Sequence, residues 1–180
     1  MKRILVLFLI LTVTVFSLTG CLIRTYEPIP QYAFEEYIEI EDDYEALEKY
    51  IRDGNLDFAK VGNVVVTYSW GIIKHGFNLV FRAYTLSEID SLELKEAVLV
   101  LGNQSLPFEY KVNGPDKATE TMNSYGFILT PTNRITGLLC EPYNEVIINL
   151  TVSVTEDETI VEKVLSFKMT LDKDWGMLTV

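Results

Sequence analysis

From about Ala59 onward apolar and polar residues alternate with period two, the spacing of strands that bury one face. Val64, Val66 and Tyr68 alternate with Val65, Thr67 and Ser69, and Phe77, Leu79, Phe81 and Ala83 with Asn78, Val80, Arg82 and Tyr84. Leu92 to Leu101 joins a helix-favouring Leu94-Lys95-Glu96-Ala97 to a strand-favouring Val98-Leu99-Val100-Leu101, and reads as a strand with a bulge near Lys95 and Glu96. Further strands are expected at Phe108 to Val112, Tyr125 to Leu129, Ile135 to Cys140, Val146 to Thr155 and Ile160 to Leu171. The last two form a hairpin whose tip is Glu156-Asp157-Glu158. Strand after strand without intervening helices predicts a mainly β fold, an antiparallel β-sandwich of immunoglobulin-like kind, although the Cys-Trp-Cys hallmark is absent.

One helix precedes these strands. Tyr44, Leu47 and Ile51 recur at helical spacing, Asp42 and Glu45 fit a capping box, and Gly54-Asn55 fits a stop, predicting a helix over 43–53. Before it, Pro28 and Pro30 favour an extended path. The chain thus divides into a leader (1–20), a tether with a short acidic helix (21–57) and a β-sandwich domain (58–180).

The leader has chemistry of its own. Lys2 and Arg3 precede an apolar stretch from Ile4 to Phe16, and Ser17 to Gly20 is a small-residue approach to a cut. Ending in Leu18-Thr19-Gly20-Cys21, the segment resembles the lipobox of bacterial lipoproteins. That resemblance implies export, transfer of a diacylglyceryl group to the Cys21 thiol, cleavage before Cys21 and, in many bacteria, acylation of the new amino terminus. Two acyl chains would hold the protein on the membrane, where one chain binds only marginally. By the same resemblance Leu22, standing where an Asp would favour inner-membrane retention, leaves both the cell membrane and the outer membrane open. An uncleaved membrane anchor formed between Arg3 and Arg24 is the alternative; either way the bulk of the chain lies outside the cytoplasm.

Charge narrows the partners. Losing Lys2 and Arg3 takes the formal charge of the 180-residue chain from −11 to −13, because every acidic residue lies in the mature part. Such a surface repels phosphate backbones, so nucleic acid is excluded, and the membrane must be held through the lipid anchor. Between Glu35 and Asp57 ten acids meet two basic residues, interleaved with tyrosines. Glu35, Glu36, Tyr37, Glu39 and Glu41 are the candidate binding residues, suited to a basic protein or to a glycan, against which tyrosine offers a rigid face and a hydroxyl.

Catalytic sets are scarce. His75 is the single histidine, in an expected turn, and Cys140 is the single cysteine besides Cys21. No metal centre or cofactor is expected, and Cys140 reads as a small buried hydrophobe with a free thiol. Asp172-Lys173-Asp174 begins like a calcium loop but lacks its later ligands. The expected function is therefore a lipid-anchored, non-enzymatic envelope protein acting as a binding or structural module; the alternative is a carboxylate-dependent hydrolase of envelope polymers.

Overall fold

The computed structural model describes residues 22–31, 43–73, 78–133 and 136–177. Nine antiparallel strands dominate it: β1 (Leu22–Pro30), β2 (Lys60–Val61), β3 (Val64–Gly71), β4 (Leu79–Thr85), β5 (Ser91–Leu101), β6 (Gln104–Lys117), β7 (Asn123–Pro131), β8 (Glu145–Glu156) and β9 (Thr159–Met177). Two helices accompany them, α1 (Tyr44–Arg52) and the five-residue α2 (Thr136–Cys140). The mainly β class read from the alternation is therefore found. Pairing runs unbroken through the order β1-β9-β8-β5-β6-β7-β4-β3-β2, so the strands make one curled sheet, a half-barrel.

The curl turns on β6. Its residues Gln104 to Pro107 pair with β5, whereas Phe108 to Lys117 pair with β7. One strand thereby serves both halves of the sheet, and the inner faces meet across a single core. Phe81 of β4 packs on Phe167 of β9 with ring centroids 5.0 Å apart, and Tyr68 of β3 meets Phe81 edge-on at 5.3 Å. Leu150, Val152 and Val154 of β8 and Leu165 and Met169 of β9 fill the same space. Burying each such side chain contributes about 1.5–3 kcal/mol.

The bulge expected near Lys95 and Glu96 is present as a register shift between Leu94 and Glu96. It keeps Leu94, Ala97, Leu99 and Leu101 facing inward despite the helix-favouring sequence between them. The hairpin tip is tighter than expected. Glu156 and Thr159 already pair, and Asp157 and Glu158 alone make the turn, both at positive φ (48° and 63°).

Helix α1 follows its sequence closely, but its cap is Asp43 rather than Asp42, accepting from the backbone N–H of Glu45 and Ala46 at 3.1 Å each. Leu47 is fully buried against Val65, Tyr84, Leu56 and Met122. The helix therefore lies on the outer face of β3 and β4, which explains why Val64 to Tyr68 are all buried although they alternate across the sheet. Gly54, at φ 79°, ends the helix where the stop was read.

Two segments depart from expectation. Ile135 to Cys140, read as a strand, contains α2 instead: Thr136 N–H and Oγ1 both donate to the Asn133 carbonyl (3.1 and 2.7 Å), starting a helical turn that buries Thr136 and Cys140 and exposes Leu138. A short apolar run fits either element until its neighbours decide. The extended path after Cys21 is also more than a tether, because Leu22 to Pro30 pair residue for residue with Met177 to Met169 of β9. Gln31 N–H donates to Lys168 on β9, whereas Tyr26 turns the other way and accepts from Ile73 N–H at 2.7 Å. Odd-numbered positions of β1 thus face β9, and even-numbered ones, including Pro28 and Pro30, face the free edge, where a missing N–H breaks no ladder bond.

Candidate functional site

The residues singled out for lipidation, Cys21, and for binding, Glu35, Glu36, Tyr37, Glu39 and Glu41, lie outside the described residues, as does His75. Among the described residues the interior of the curled sheet is occupied by packed side chains.

The most developed polar arrangement lies where α1 meets the β6–β7 connection. Glu48 accepts from Thr119 Oγ1 (2.7 Å), from Thr121 Oγ1 (2.6 Å) and from Arg52 Nη2 (2.6 Å) and Nε (3.0 Å). The Thr119 hydroxyl first, then Thr121 and Arg52, hold its carboxyl down at about 2, far below the usual 4.5. A cleft of about 450 Å³ opens there, lined by Glu45, Lys49, Asp53 and Glu120 as well as this network. Arg52 also borders a second cleft of about 400 Å³, between α1 and the β2–β3 turn. The Glu48–Arg52 spacing of four residues was readable in the sequence; the two threonines, seventy residues away, were not.

At the opposite pole α2 packs against β1 beside the exit of β3. Tyr26, 2% exposed, donates its hydroxyl hydrogen to Glu141, and Lys173 Nζ donates to the Glu141 carbonyl (2.9 Å) and to Asn144 Oδ1 (3.0 Å). Cys140 is buried beside this cluster as a free thiol, in agreement with its sequence reading. Burial pushes its thiol up to about 12, opposed by the charge of Lys173, so it is not a thiolate at neutral pH.

The remaining candidates resolve into structural roles. Asp172 and Asp174 sit on β9 opposite Glu27 and Thr25 of β1, a strand rather than a calcium loop. Asp53-Gly54 is the helix end. Among the described residues no group of three or more His, Cys, Asp or Glu side chains could hold a metal ion, and no helix is long and apolar enough to cross a membrane. Comparison of the chain with family models, with curated proteins and with solved structures returns no match.

Proposed function

We propose that this chain is a lipid-anchored, non-enzymatic protein of the cell envelope, a binding or structural module held to the membrane through Cys21. Its contacting residues are Glu35, Glu36, Tyr37, Glu39 and Glu41, and its partner is a basic protein or a glycan. In this reading the halves of the sheet on either side of β6 act as the two layers of a sandwich over one core.

The observation that carries the reading is the filled interior. Tyr68, Phe81, Phe127 and Phe167 occupy the space where a barrel of this kind would hold a small ligand, which leaves recognition to the outside. Three acids of the described surface hold the fold: Glu48 fastens α1, Glu141 receives Tyr26, and Glu156 receives the side chain and backbone N–H of Asn63 (2.7 and 3.0 Å). The charge of the chain supports a basic partner and a salt-sensitive contact.

Crosslinked pulldown from intact membranes tests this. Changing Glu35, Glu36, Glu39 and Glu41 to Gln is expected to remove the captured partner while the domain stays folded, and Cys21→Ser to release the protein from membranes or leave an uncleaved precursor. Replacing His75 by Asn and Cys140 by Ala together is expected to preserve cellular function. Loss of function in that double variant, with the fold intact and the captured partner unchanged by the acid replacements, would make the hydrolase reading the better one.

A further inference from the structure

Three observations converge on one pole of the half-barrel. First, β1 starts at Leu22, immediately after Cys21, so the proposed anchor is one Cα step, about 3.8 Å, from a residue already paired in the sheet. No length of free chain separates lipid from domain. Secondly, the elements that end beside β1 are the exit of β3 and helix α2. Ile73 bridges to Tyr26, and a Cβ built at Gly137 would lie 3.6 Å from both the Ile73 carbonyl and the Tyr26 ring. Thirdly, among the described residues these two elements carry the most exposed large apolar side chains at that pole, Leu138 at 73% and Trp70 at 58%.

The other pole is predominantly acidic, although Ile160, 69% exposed, stands beside its turn. Ser91 pairs with Thr155, which brings the start of β5 beside the β8–β9 turn, and Glu158 N–H donates to Asp90 Oδ2 at 3.4 Å. Glu88, Asp90, Asp157 and Glu158 are all exposed there.

We infer that the pole formed by the start of β1, α2 and the exit of β3 rests on the lipid surface, with Leu138 and Trp70 seated at headgroup level, and that the acidic pole points away from it. This rests on the lipid anchor at Cys21. A short attachment fixes which end is near the bilayer, an exposed leucine gains by leaving water, and tryptophan is favoured at the membrane interface. Glu27, Asp172 and Asp174 stand exposed on the β1–β9 ladder near the anchor, so the contact is apolar and does not draw on anionic headgroups.

The test uses the mature anchored protein in phosphatidylcholine vesicles, carrying Leu138→Cys or, as the far-pole control, Glu88→Cys, each labelled with a small fluorophore. Both positions are exposed, and the native Cys140 is buried, so labelling reports the introduced thiol. Brominated lipid is expected to quench the label at 138 several-fold more than at 88, aqueous iodide to do the reverse, and the pattern to persist in high salt. Equal iodide access at both positions in protein whose Cys21 is acylated by mass spectrometry overturns the orientation alone. An unacylated Cys21 overturns the anchor, and the orientation with it.

Discussion

Tyr26 on the first strand donates its phenolic hydrogen to Glu141 just beyond α2, joining positions 115 residues apart. The bond ties the β1 edge of the sheet to helix α2. Tyr26→Phe keeps the buried ring and removes only the hydroxyl, and exposed Glu141 can turn to water. The expected loss is about 1 kcal/mol by urea denaturation. A variant as stable as the parent would show that the bond adds nothing to folding.

Cys140 gives a pH-dependent prediction. Burial raises the thiol from its ordinary 9.0 to about 12, so the unfolded chain releases this proton at lower pH than the folded one. The stability contribution is therefore complete below pH 9.0 and falls as pH rises toward 12. Cys140→Ala should flatten that alkaline decline. In the native parent a bulky thiol reagent should react slowly at neutral pH and rapidly after denaturation; fast native labelling would contradict the burial.

The Glu48 network responds at the other end of the scale. Its carboxyl is lowered to about 2 by Thr119, Thr121 and Arg52, so what it contributes is present above its ordinary 4.5 and is lost as pH falls through about 2. Proteolytic cutting within α1 should accordingly remain constant in the parent from neutral pH down to about 4.5 and quicken as pH falls from there toward 2. Glu48→Gln, which keeps the shape but loses the charge, should be cut faster at neutral pH. Equal cutting of the two proteins at pH 7 would remove Glu48 from the docking of the helix.

How far these features could be read in advance depended on whether the deciding contact was local. The β8–β9 pairing and the inward set Leu165, Phe167, Met169 and Leu171 follow from period two, as does Leu47 from helical spacing, whereas Val161, on the same expected face, is exposed near the turn. The turn at Asp157-Glu158 was harder to size, since two positive φ values are ordinarily signalled by Asn or Gly and here neither is present. The strand expected at Phe108 to Val112 in fact spans Gln104–Lys117 as β6. Pro107 stands where the strand changes partner, and a register shift between Asn113 and Asp116 absorbs Gly114-Pro115. Helix α2 and the Glu48 clasp depend on contacts with distant segments, which one-dimensional spacing does not encode. The candidate residues Cys21, Glu35, Glu36, Tyr37, Glu39 and Glu41 were legible only as motif and composition, without a geometry to join them.

The prolines of β1 bear on how closely copies of this protein can sit side by side. A sheet edge is a template for another chain, and confinement to a surface multiplies encounters between templates. On β1 the outward positions that could recruit a neighbour include Pro28 and Pro30, which have no hydrogen to offer, while Tyr26 is already engaged by Ile73. Edge-to-edge pairing is thereby disfavoured along the later half of the very strand that a lipid on Cys21 would bring closest to its neighbours.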